Sequence, residues 1–177
     1  MKARIAVLLG ALVATASLAV GATAAPSEPS ATKATIVGVA AGDKRFSTLV
    51  ALVKQAGLVK TLSGKGPFTV FAPTNAAFAV LKKNAPDTYN AVASDKKLLA
   101  KVLTYHVLAA KVPSTGAIAV AKKKGSVKTV QGEKIELSLK GGALYLNKSS
   151  QVIVTDVKAS NGVIHAINAV LVPPSVS

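Results

Sequence analysis

The apolar residues of this chain change their period partway along, and that change restricts the fold more than any other feature. Before Pro113 they recur at spacings of three and four. In "DKRFSTLVALVKQAG" (43–57), Phe46, Leu49, Val50, Val53 and Ala56 make one stripe of a helix. Asp43 is suited to cap its start and Gly57 its end. "PTNAAFAVLKK" (73–83) opens on the natural N-cap Thr74 and sets Phe78 and Leu81 on one face; Pro86 breaks it, and "PDTYNAVA" adds a helical turn. "SDKKLLAKVLTYHVL" (94–108), capped by Ser94 or Asp95, buries Leu98, Leu99, Val102 and Leu103 and carries Tyr105 and His106 at its C-terminal end. Between the helices, "FTVFA" is a β-type run with Thr69 and Phe71 on one face and Phe68 and Val70 on the other. "TIVGVAAG" (35–42) reads as a strand or a loose lead-in.

After Pro113 the period becomes two. "KIELSLK" alternates Ile135, Leu137 and Leu139 with Glu136, Ser138 and Lys140, and Gly141-Gly142 turns it into "ALYLN", a hairpin pattern. "QVIVTDV" is a further strand. Asn161-Gly162 marks a turn or bulge before "VIHAINAVLVPP", a long strand apolar on both faces and therefore buried on both. Helices followed by strands predict an α+β domain with helices packed on a β-sheet or β-sandwich, not a doubly wound parallel sheet.

The core has to be aliphatic, since half of the residues are hydrophobic but only 4% are aromatic. Stability comes from that core alone: the chain has no cysteine, hence no disulfide and no thiolate chemistry. The N-terminus reads as a secretory signal peptide (1–24): Lys2 and Arg4, an apolar run from Ile5 to Val20, then Ala22-Thr23-Ala24 before a cut at Ala25. A linker (25–34) leads into the domain (35–174), with a short tail at 175–177. The expected location is secreted, periplasmic or extracellular. Without Lys2 and Arg4, 20 basic residues face 7 acids, and Arg45 is the one arginine left. Lysine is a hydrated point charge; arginine is the residue suited to bidentate readout of phosphates and bases. The balance favours diffuse attraction to anionic surfaces over specific nucleic-acid recognition.

Chemical sites are sparse. Two histidines some sixty positions apart and 7 scattered acids supply no local metal cluster, though His106, His165 and Asp156 can be brought together by folding. There is no G-x-S-x-G, and "LSGKGP" lacks the spacing of a phosphate loop. No cofactor is expected. Lys122, Lys123 and Lys124 form the densest positive run, either an anion-binding patch or a solvated turn between strands. His165, in line with Val163, Ile167 and Ala169, is expected to donate to a carbonyl or polar side chain. His106 is expected to satisfy a loose carbonyl at a helix end, and to tie that end to a neighbouring loop, the one bearing Thr74 and Asn75.

Three stretches together resemble fasciclin-like domains. "GPFTVFAPTNAAF" (Gly66 to Phe78) is similar to their first signature box, "LLAKVLTYHVLAAKV" (Leu98 to Val112) to their central segment, and "NGVIHAINAVLVPP" (Asn161 to Pro174) to their closing box. The resemblance implies a wedge-shaped α+β fold with a β-sandwich core. It also implies a secreted, non-catalytic protein of cell adhesion or matrix interaction, with a cell-surface or matrix component, protein or polysaccharide, as partner. Thr74 and Asn75 match the polar pair of the first box, and Tyr105-His106 the central pair. The resemblance ties this central segment to receptor binding in animal members. One departure is Asn168, where the family usually has Asp; Asn still accepts through its oxygen but brings no charge. The alternative to adhesion is an extracellular binder of anionic polymer, such as acidic polysaccharide, through the lysine-rich surface.

Overall fold

The computed structural model describes residues 34–176. The signal-peptide reading, and all of the linker but Ala34, lie outside the described residues. Helices dominate the first half: α1 (Ile36–Gly42), a 3-10 turn (Lys44–Phe46), α2 (Ser47–Gln55) and α3 (Val59–Leu62), then strand β1 (Phe68–Pro73), then α4 (Asn75–Asn84), α5 (Pro86–Ser94) and α6 (Lys96–Tyr105). The second half holds β2 (Val107–Leu108), α7 (Ser114–Lys122), β3 (Ser126–Lys128), β4 (Lys134–Lys140), β5 (Ala143–Leu146), β6 (Ser150–Ala159) and β7 (Gly162–Ile167). The α+β class is as the period change predicts.

The strands run in the order β2-β1-β7-β6-β5-β4-β3. Strand β7, third in that order, is fully buried, parallel to β1 and antiparallel to β6. The sheet curls nearly closed: beyond β3, the Val130 N–H donates to the Val107 carbonyl on the far edge strand. Curling creates two cores. On one face, Val70, Ala72, Ile164 and Ala166 meet the stripes of α1 to α6. On the other, Phe71 and Ile167 meet Ile135, Leu137, Leu144 and Leu146 of the β4–β5 hairpin, with Ala117 and Ala121 of α7. This is the sandwich layer, and it follows from strands whose two faces are both apolar. The alternation read in "FTVFA" holds, with Val70 in one core and Phe71 in the other. Gly141 and Gly142, at φ 58° and 80°, make the β4–β5 turn.

Several local expectations are corrected. "TIVGVAAG" is a helix, not a strand or lead-in: Thr35 caps α1 by accepting from Gly38 N, and Ile36 and Ala40 pack down at i, i+4. A full helix, α7, follows Pro113, so Lys122 ends that helix and Lys123 and Lys124 lead from it to β3, rather than all three turning between strands. The helix in 94–108 ends at the Tyr-His step as expected, and Val107-Leu108 beyond it pair with β1. The long closing strand stops at Ile167, because Asn168 clamps β6 through two bonds: its N–H donates to the Gln151 carbonyl (3.1 Å) and its Oδ1 accepts from Gln151 N (2.8 Å). The oxygen does the accepting, so the Asp-to-Asn departure leaves this joint intact.

Candidate functional site

Each motif residue named above has its polar atoms committed inside the fold. Thr74 is buried at the start of α4, where its hydroxyl accepts from Ala77 N (3.4 Å) while its own N–H reaches the Ile167 carbonyl. Thr74→Ala removes the cap and is expected to cost about 1 kcal/mol; thermal melting of the variant checks this, and an unmoved midpoint would deny the capping role. Asn75 works at longer range. Its Oδ1 accepts from Thr48 N (3.0 Å), and its amide donates to the Lys44 carbonyl (2.9 Å) and Ser47 Oγ (3.0 Å). Helix α2 begins after Phe46, a residue with no capping side chain, so Asn75 supplies the cap from 27 positions away.

Tyr105 and His106 face different layers. The Tyr105 ring enters the sandwich core, where its hydroxyl donates to the Lys134 carbonyl (3.0 Å) and accepts from Asn147 Nδ2 (2.8 Å). Burial pushes this phenol above its ordinary value, against the pull of the Asn147 donor. His106 is 2% exposed. Its Nδ1–H donates to the Val102 carbonyl (2.8 Å), and its Nε2 accepts from Leu171 N (3.0 Å). Those partners define one neutral tautomer, since a carbonyl needs a donor and an N–H needs an acceptor. Burial pushes the ring down to about 4. The expectation that His106 satisfies a carbonyl at a helix end holds. Its tie to the loop of Thr74 and Asn75 does not: the partner is the segment after β7, because Leu171 is drawn into the sandwich core beside Tyr105.

His165, wholly buried on β7, stacks on Phe71 with ring centroids 5.7 Å apart. Its Nε2–H donates to the Val112 carbonyl (2.9 Å), and its Nδ1 accepts from Asp156 N (3.2 Å). Asp156 sits at φ 57° where β6 is irregular. Its carboxylate accepts from Ser114 N (2.9 Å) and from the Ser114 hydroxyl, capping α7 from outside as Asn75 caps α2. Desolvation raises this carboxyl, but the two Ser114 donors more than offset it and hold the group below its ordinary value. Ser114, Asp156 and His165 thus gather in the order opposite to a nucleophile relay. The acid binds the serine directly, and both ring nitrogens are bound to backbone. His106 stays outside this group, and no cluster of His, Cys, Asp or Glu among the described residues has metal-ligating geometry.

What remains outward is charge. Lys122, Lys123 and Lys124 are exposed at the C-terminal end of α7, where cations also complement the helix dipole. Lys122 and Lys124 border a groove of about 620 Å³ against β4, which also takes in Lys148 of the β5–β6 turn. Lys148 stands apart from the run Lys122–Lys124 in sequence; its neighbour Asn147, a residue that tolerates left-handed backbone, is a sign of a turn there.

Comparisons with known proteins agree with this architecture. The Fasciclin domain profile matches residues 44–173. Protein sll1483 of Synechocystis sp. is 48% identical over 140 residues, spanning 79% of this chain and 74% of its own length. Transforming growth factor-beta-induced protein ig-h3 of Sus scrofa is 42% identical over 141 residues, which are 80% of this chain and 20% of that longer protein. Immunogenic protein MPB70 of Mycobacterium bovis is 34% identical over 145 residues, 78% of this chain and 69% of its own. Among solved structures, a FAS1 domain pair from the insect cell adhesion molecule Fasciclin I superposes with a TM-score of 0.70. It covers 82% of this chain and 53% of that one at 17% identity, which speaks for the fold. With the profile spanning most of the chain and three boxes in their order on one curled sheet, the chain belongs to the Fasciclin domain family.

Proposed function

We propose that this protein is an exported, non-catalytic module of surface adhesion or matrix interaction. One observation carries the reading: every group suited to proton transfer in the motif boxes is committed to the fold, while the lysines are displayed outside. His106, His165 and Tyr105 are each 2% exposed or less, and their ring nitrogens and hydroxyl all have protein partners. The motif boxes then serve as joints, and the partner meets the outer surface. The fold shared with an insect cell adhesion molecule is in keeping with this. No helix among the described residues is long and apolar enough to cross a membrane.

Retention of the purified protein on cell-envelope and matrix preparations tests the reading, at 0.1 M and 1 M salt. Screening shortens from about 10 Å to about 3 Å over that range, so attachment through lysines should be lost at the higher salt. Absence of retention on any such preparation at 0.1 M salt would count against the module.

A further inference from the structure

Two lysines occupy backbone conformations that suit glycine, and both line the same groove. Lys124 is at φ 51° and Lys148 at φ 63°. A Cβ is disfavoured in that region, and Gly or Asn is the usual occupant after a helix C-cap such as Lys123. Strained positions held by a charged residue are a reason to look for a ligand. Lys122, at the last turn of α7, completes a triad of cations around the groove. Its floor is β4, which runs beyond the last pair with β3, Ser126 with Glu136, so that Ser138 stands at the groove. A carboxylate already sits in it, for Glu136 lies 3.5 Å from the Lys148 ammonium, with both side chains largely exposed.

We propose that the groove between α7 and β4 binds the acidic groups of an anionic polysaccharide. This inference rests on the surface-interaction reading and gives it a partner class and a place. Lys122, Lys124 and Lys148 supply the counter-charge, and Ser138 supplies a hydroxyl that donates or accepts. The ligand displaces Glu136 from Lys148. Nucleic acid fits less well: the groove has lysines without an arginine fork and no series of aromatic platforms.

The test measures binding of the full protein to dextran sulfate, polygalacturonate, neutral dextran and single-stranded DNA at 0.1 M salt. The two acidic polymers separate sulfate from carboxylate as the favoured group, and tight binding to either supports the proposal. The informative variant is Lys124→Gly with Lys148→Gly. Glycine suits both backbone positions, so melting should be unchanged or higher while binding weakens about tenfold. Glu136→Gln should tighten it. Lys96→Gln with Lys97→Gln removes equal charge from the exposed start of α6 and should change binding less than about twofold. Equal losses in the two double variants, or single-stranded DNA bound as tightly as the acidic polysaccharides, would overturn the groove. If the glycine variants bind like wild type while wild type is still retained on envelope material, the groove fails and the module stands. If wild type is retained on nothing, the module reading falls with it.

Discussion

A Gly162→Ala chain should lose about 3 kcal/mol of stability or more, from one added methyl group. The reason is the closeness of two backbones. Gly162 begins β7 and is paired with Phe68 at the start of β1. A Cβ at 162 would fall 2.0 Å from the Phe68 carbonyl oxygen, 2.8 Å from its carbon and 2.9 Å from Ile36 Cδ1. The side chain of Ile36 can shift, but the oxygen cannot without parting β1 from β7, the parallel pair of the sheet. The crossing is tight from the other side too, since a Cβ at Gly66 would lie 2.0 Å from the Asn161 carbonyl oxygen. Gly42, at the end of α1, is the control: a Cβ there meets nothing within 4 Å. Gly42→Ala should be neutral or stabilising by up to about 1 kcal/mol. Denaturant unfolding of the two variants measures the contrast, and equal small effects would mean that the backbones can move apart.

His106→Ala should be the second large loss, about 3–5 kcal/mol. It leaves the Val102 carbonyl and the Leu171 N–H buried without their partner, and it opens a hole where a wholly packed ring had been. The same ring makes the native protein acid-sensitive. Its folded value of about 4 lies below the ordinary 6.5, so the unfolded chain takes up a proton more readily than the folded one. Stability from this group is complete above pH 6.5 and drains as the pH falls through about 4, by about 3 kcal/mol in all. Asp156 is held below its ordinary 3.8, so its contribution is lost in a lower window. Unfolding free energies between pH 7 and pH 4 should therefore slope in wild type and be much flatter in the His106 variant.

The parts legible in the sequence were those whose causes are local. The stripe of α2, the Asp95 and Thr74 caps and the Gly141-Gly142 turn each depend on residues within a few positions of one another. The apolar runs in the first and closing boxes marked two buried strands, and their parallel pairing as β1 and β7 is visible only in the fold. Short apolar segments were harder. "TIVGVAAG" mixes β-branched residues with small ones, and seven helical residues carry too few turns to display a stripe. Helix α7 had its sign in Ala117 and Ala121 at i, i+4, but alanine marks a face weakly, and the alternation further on set the expectation for the whole half.

The candidate site was legible as residues but not as partners. Asn75 reaches Thr48, Asp156 reaches Ser114, and His106 reaches Leu171 across 65 positions. In each case the helix start or chain segment that needs satisfying cannot satisfy itself. Phe46 and Pro113 precede α2 and α7 without a capping side chain, so the caps come from elsewhere in the fold. Such bonds leave no periodic trace in the sequence. The groove was half visible, in the run Lys122 to Lys124; Lys148 joins it only because the β4–β5 hairpin folds back beside α7.

On the proposed function, the Tyr105–His106 step holds the fold together and binding takes place on the outer surface. A single comparison tests it: thermal melting of His106→Ala beside its retention on envelope material, corrected for the folded fraction. The expected result is a melting midpoint lowered by well over 5 °C for a loss of this size, with wild-type retention per folded molecule. An unshifted melting curve together with lost retention would contradict it and make the histidine part of the binding surface.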